Sequence, residues 1–137
     1  MSSDGPITGA PSKRVPREYP IAQIIEVHDG DTVRAWVDQG FGEWAKVWIR
    51  LQGVNAQELS KPGGPEAGMN LESILSLHAP GGWLKLVTFW SEGSTKEIKE
   101  ERTFIRYVGR LVGRLDNVDI NEVQARTIAG TEMEGGM

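Results

Sequence analysis

The sequence predicts an α+β domain, mainly β, in which five strands close into a barrel, a helix lies between the third and fourth strands, and a short helix follows the fifth. Three observations carry that prediction. β-Branched and aromatic residues gather in short runs separated by turns rich in Gly and Asp. One stretch, residues 65–78, carries apolar residues at helical rather than alternating spacing. A length of 137 residues with 39% hydrophobic content suits one domain with a real core and is too short for two.

Residues 1–18 read as a flexible arm. Ser2, Ser3, Gly5, Pro6, Gly9, Pro11, Ser12 and Pro16, with the basic Lys13, Arg14 and Arg17, have no apolar periodicity and bury too little surface to offset ordering. A second use of the arm is docking onto a protein partner or nucleic acid. It lacks the apolar segment of a signal peptide, so the expected location is the cytoplasm or a virion. Residues 19–27 form the first strand, with Ile21, Ile25 and Val27 on one face and Ala22, Ile24 and Glu26 on the other. Asp29-Gly30 is a hairpin signal, Gly30 being expected to supply the positive φ of a tight turn. Residues 32–38 are the hairpin partner, 39–43 a second turn, and 44–51 a third strand.

After a loose loop, Pro65 suits a first helical position and Glu66 meets the positive end of the helix dipole. Leu71, Ile74, Leu75 and Leu77 mark the apolar face, and the helix ends near His78, before Pro80-Gly81-Gly82. Residues 83–90 read as a fourth strand, apolar on both faces, and 91–101 as a charged turn or hairpin tip. The fifth strand, 103–115, places Arg106, Arg110 and Arg114 on one face. Residues 119–129 form the last helix, with Asp119 as cap, Glu122 three residues on as in a capping box, and Ile120, Val123 and Ile128 as its apolar stripe. The expected organisation is arm 1–18, barrel domain 19–129 and flexible tail 130–137. Five strands with a helix between the third and fourth is the plan of an OB-type barrel.

Composition limits the chemistry. Fifteen basic and nineteen acidic residues give a net charge of -4, so any phosphate binding is local rather than a long nonspecific grip. Without cysteine there is no disulfide, thiolate metal site or cysteine nucleophile. His28 and His78 have no partner at metal-ligand spacing. Of five tryptophans, Trp36, Trp48, Trp83 and Trp90 fall in expected strands, where core packing is the default. Trp44, beside a turn, is the candidate base-stacking platform.

Candidate chemistry concentrates between residues 27 and 58. His28-Asp29-Gly30-Asp31-Thr32 is an acidic turn, Trp48-Ile49-Arg50-Leu51 ends a strand with an arginine, and Val54-Asn55-Ala56-Gln57-Glu58 places an acid just beyond. If the two strands are neighbours, these groups converge on a spot that suits a phosphate. Arginine's planar fork matches phosphate oxygens bidentately and stays charged. A carboxylate such as Glu58 can position or deprotonate water.

In order and spacing the segment resembles the thermonuclease family (staphylococcal nuclease and relatives), whose pattern is an apolar strand, D-G-D-T, a second strand, and R-L-x-x-[VI]-D-[TA]-P-E. Gly64-Pro65-Glu66-Ala67 is similar to the family's G-P-E-A, Tyr107-Val108-Gly109-Arg110 to its Y-G-R with one residue more, and Ile120-Asn121-Glu122 to its V-N-E. The matches cover roughly residues 20–129. The resemblance implies an OB-type barrel and calcium-dependent nuclease activity on DNA or RNA, single-stranded substrate being favoured. It also implies Arg50 and Arg110 as catalytic arginines, Glu58 as the residue that handles water, and Asp31 as a Ca²⁺ ligand. Asn55 stands where the family has a second carboxylate, and Ala56 where it has a backbone carbonyl ligand. A neutral Asn55 weakens the ion's hold, and Gln57 in place of the usual Pro loosens the loop that presents Glu58. Family members continue into further helical structure, so apolar surface left without it is expected to stay exposed or meet a partner. The alternative is a non-catalytic scaffold docking through arm and tail, as a protein partner or oligomer, into an assembly such as a viral particle. No membrane partner is expected.

Overall fold

The computed structural model describes residues 16–80, 83–89 and 93–135. The chain runs β1 (Arg17–Asp29), β2 (Thr32–Gly40), β3 (Glu43–Leu51), α1 (Gly64–His78), β4 (Leu84–Thr88), β5 (Thr95–Lys99), β6 (Arg102–Gly113) and α2 (Ile120–Gly135). Sheet order is β3-β2-β1-β4-β6-β5, and β3 also pairs with β6. That parallel pairing, Trp48 opposite Arg106 through Leu51 opposite Gly109, closes a five-stranded barrel of the expected OB type. Among the described strands β5 pairs with β6 alone, so it hangs from the closed barrel as a hairpin arm where the sequence suggested a turn or tip.

Strict alternation fills the interior. Val33, Ala35 and Val37 of β2 meet Val47, Ile49 and Leu51 of β3, joined by Leu84, Leu86, Tyr107 and Leu111. Removing such a side chain, for example Ile49→Ala, costs ~2–5 kcal/mol because the cavity only partly collapses. β1 departs from simple alternation. Register shifts between Ile21 and Gln23 and between Ile24 and Glu26 are β-bulges, and each moves the next apolar residue across the pleat. Ile21, Ile24 and Val27 therefore face the core, and Ile25, expected to share a face with Ile21 and Val27, is 37% exposed.

Other expectations shift for local reasons. β1 starts at Arg17, because Arg17 and Glu18 pair with Thr88 and Val87, so the arm ends earlier than 18; residues 1–15 lie outside the described residues. α1 buries Leu71, Ile74 and Leu75, but Leu77, two residues past Leu75 and off that stripe, is 74% exposed. β4 ends at Thr88 and carries Lys85 outward, ion-paired with Glu18 at 3.1 Å, so it is not apolar on both faces. α2 continues past Ala129 to Gly135, into the stretch expected as a flexible tail. Trp36, Trp48 and Trp83 are all outside the core, whose β2 and β3 positions are taken by the intervening aliphatic residues. Trp90 lies outside the described residues.

Candidate functional site

The β1–β2 turn holds Asp31 from several sides. Asp29 Oδ1 accepts the Asp31 N–H at 3.1 Å, a local side-chain turn that fixes the acid's direction. Neither Gly30 nor Asp31 has positive φ. Gly30 is required for room instead, since a Cβ there would stand 2.6 Å from the Cβ atoms of both Ala56 and Ala67. The turn is thus pressed between the 52–63 loop and α1. Asp31 Oδ1 accepts the Thr32 hydroxyl at 2.9 Å, and its Oδ2 accepts the Ala56 N–H at 3.1 Å. Burial raises the Asp29 carboxyl above its ordinary range, the hydrogen bond and charge of Asp31 add to the rise, and the Asp31 N–H and His28 oppose it.

Arg50 comes to the same place from β3, where it pairs with Thr32. Its Nη1 donates to the Leu51 and Val54 carbonyls, each at 2.6 Å. Nη2 donates to Asn55 Oδ1 at 3.2 Å and stands 3.5 Å from Asp31 Oδ2. One guanidinium thereby ties the end of β3, the start of the loop and the acidic turn together, leaving its Nε–H outside this set of contacts. Asp31 and Arg50, far apart in sequence, are brought together with Asn55 and Ala56. Ala56 takes part through its N–H.

Glu58 lies farther along the loop. Its carbonyl accepts the Lys61 N–H at 2.9 Å, and a Cβ at Gly64 would collide with that carbonyl. Gly64 is therefore the residue that lets the loop fold back onto the start of α1. The Glu58 carboxylate is exposed and has no hydrogen bond or ion pair among the described residues. Arg110 occupies the outer face of β6 with Arg106, 3.9 Å from Asp119 Oδ2 and about half exposed. Arg114 falls beyond the strand, its guanidinium 5.0 Å above the Trp83 ring.

Two residues of α2 hold this end of the barrel. Asn121, 3% exposed, donates through Nδ2 to the carbonyls of Gln52 (2.8 Å) and Gly109 (2.9 Å) and accepts the Leu111 N–H (3.1 Å). Gln124, fully buried, donates through Nε2 to Gly30 (2.9 Å) and Ala67 (2.8 Å), bridging the acidic turn and α1. Asp119 caps α2 by accepting the Glu122 N–H at 3.1 Å. Gln124 is absent from the sequence reading because its partners are far along the chain. Its only signal is a polar residue one helical turn from Ile120 on the inward face.

The donor set around Asp31 is all oxygen, which suits a hard cation. No three His, Asp or Glu side chains converge on one point among the described residues. Asp31 and the Asn55 amide are the side-chain ligands available, with Asp29 beside them, and Arg50 already contacts both of the first two. Such a set fits a weakly held ion. No helix among the described residues is long and apolar enough to cross a membrane. No protein-family model and no curated protein matches the chain.

Proposed function

We propose that the protein is a nuclease of the thermonuclease-like kind, hydrolysing phosphodiesters of DNA or RNA with help from a divalent cation. The observation that carries this reading is the meeting of Asp31, Arg50 and Asn55 at the mouth of the β1–β2 turn, with the free Glu58 carboxylate on the adjoining loop. In this reading Glu58 takes a proton from water, the water oxygen bonds to phosphorus, one ester P–O bond breaks, and the departing oxygen takes its proton from solvent. Positioning has to make up for an ordinary carboxylate's weak basicity. Arg50 and Arg110 face the charge that develops on phosphate. A phosphate reaching Arg50 competes with Asp31 and Asn55 for its Nη2 edge, while Nε–H is ready to donate. Asp31, the Asn55 amide and the Ala56 carbonyl would hold Ca²⁺, which supplies positive charge against the phosphate oxygens.

A second reading, a non-catalytic scaffold within a larger assembly, draws on the same guanidinium. Four of Arg50's contacts serve the protein itself, as a loop tether would. Cleavage of single-stranded DNA with calcium, with magnesium and with a chelator separates the two, run beside Glu58→Ala. The nuclease reading expects loss of cleavage with both chelator and variant. A folded wild type that cleaves with neither ion leaves the scaffold. Asn55→Asp adds the missing charge and is expected to tighten calcium binding at least tenfold by calorimetry; unchanged binding removes Asn55 as the weak point of the site.

A further inference from the structure

The outer faces of β2, β3 and β6 carry an aromatic and cationic array that the hydrolytic site does not use. Cross-strand register places Arg34 beside Trp48, and Trp48 beside Arg106 of β6. It also places Trp36 beside Lys46, with Trp44 at the strand's far end. The cations already lie on indoles: the Arg34 guanidinium is 5.0 Å from the Trp48 centroid and Lys46 Nζ 6.0 Å from that of Trp36. Trp44 has no cation on its ring among the described residues and is 64% exposed. A cleft of about 370 Å³ opens between Trp36 and Trp44, walled by Ala22 and Gln23. Another, of about 220 Å³, separates Trp48 from Phe104 and Arg106.

We infer that this face binds a single-stranded nucleic acid, with bases stacked on Trp44 and Trp36 and phosphates against Lys46, Arg34 and Arg106, the Trp48 ring being already met by Arg34 and, at 5.6 Å between centroids, by His28. Trp36 stands opposite Lys46, so Trp44 and Trp48 are its diagonal neighbours, at about 7–8 Å by sheet geometry. That is about twice the ~3.4 Å rise per nucleotide of a stacked strand, and the cleft between Trp36 and Trp44 leaves room for one base there. Arg50 follows Trp48 on the same face of β3, so the track leads into the proposed site, and it rests on that reading only for where it ends.

Charge selects this occupant. The chain carries -4 overall, yet Arg34, Lys46 and Arg106 share this face against Glu26 and Asp38, while Arg50 is paired with Asp31 at 3.5 Å and Glu97 beside the Trp48 cleft is paired with Lys99 at 3.2 Å. Asp38 is partly spent in accepting the Gly40 N–H at 2.8 Å. A second copy of the face would oppose like charges, and the 1–15 segment brings Lys13 and Arg14. A single strand offers what the array recognises: a polyanion with π-faces.

The test is fluorescence anisotropy of a labelled twelve-nucleotide oligothymidine with the full chain in excess chelator, where no cleavage is needed. Wild type is expected to bind with quenching of tryptophan emission and a log–log salt slope of about -2, from three phosphate contacts at ~0.7 each. Trp44→Ala and Lys46→Glu should each weaken binding at least tenfold while melting like the wild type, and an abasic twelve-mer should bind at least tenfold more weakly than oligothymidine. Equal affinity of wild type and both variants, equal affinity for the abasic strand, or no binding at all overturns the track. So does a wild-type dimer, seen by sedimentation, that Trp44→Ala dissociates. Binding without cleavage in any ion removes only the nuclease; cleavage without this binding removes only the track.

Discussion

The end of the barrel around Asp31 and the outer face of β2 and β3 treat polar and apolar groups in opposite ways. At the barrel end, Asn121 satisfies three backbone groups, Gln124 spans two elements, and Arg50 holds two carbonyls and two side chains. Several backbone groups there depend on one side chain, so removing that side chain disturbs them together. On the outer face the large side chains stack on cations and meet solvent, and Trp44 is mostly uncovered. The difference teaches where geometry is set and where it is available. A loop with no secondary structure of its own, residues 52–63, is held at Gln52 by the buried Asn121 amide and at Val54 and Asn55 by Arg50, leaving the exposed sheet to make contacts without risking the fold.

Breaking the locked end should have the largest effect. Asn121→Ala removes three hydrogen bonds; the Gly109 carbonyl keeps the Gln52 N–H at 2.9 Å, but the Gln52 carbonyl and the Leu111 N–H are left to find others, each unsatisfied buried group costing ~1–3 kcal/mol. We expect about 3 kcal/mol of destabilisation in urea unfolding, against under about 0.5 kcal/mol for an exposed substitution such as Trp44→Ala. Equal effects at the two positions would erase the contrast. Gly30→Ala is next: its Cβ would press on Ala56 and Ala67 at 2.6 Å, and overpacking costs ~1–3 kcal/mol. A neutral result would mean that the turn and loop part easily.

The smallest effect sharpens the electrostatics of the same turn. Because Asp29's folded pKa is raised, chiefly by burial and then by Asp31, ionised Asp29 opposes folding. That cost is fully present above the raised pKa and disappears as pH falls below the ordinary carboxylate range. Asp29→Asn keeps an oxygen for the Asp31 N–H, so it should melt higher than wild type at neutral pH, the gain vanishing by about pH 3. A gain that persists unchanged in acid would point to something other than this carboxyl's charge.

Much of this was legible locally. The hairpin, the helix start at Pro65 and the Asp119 cap each depend on a few adjacent residues, and the barrel follows from their order. Asp29-Gly30 marks a turn for a reason the sequence hides, since the glycine is needed by Ala56 and Ala67 rather than by its own φ. Gln124 acts on partners 94 and 57 residues away, beyond any window of periodicity. The tryptophans were readable in principle. Val33, Ala35 and Val37 alternate with Arg34 and Asp38, and that alternation sends Trp36 outward; treating every strand aromatic as core overlooks it. Of the site, the convergence of Asp31, Arg50 and Asn55 follows from strand pairing, whereas the turning of Arg50 toward main-chain carbonyls depends on the loop's path.

The most direct test of the central claim, that Arg50 and Glu58 act on a phosphodiester, is the single-turnover cleavage rate of oligothymidine by wild type, Arg50→Lys and Glu58→Gln at matched folded fraction with saturating calcium. Both variants should cleave at least ~100-fold more slowly, the scale of a lost acid–base or charge-stabilising group, and chelator should abolish cleavage by the wild type. Variants that cleave at the wild-type rate, or a slowing that only tracks the unfolded fraction, would contradict it and leave Arg50 as a tether for the loop.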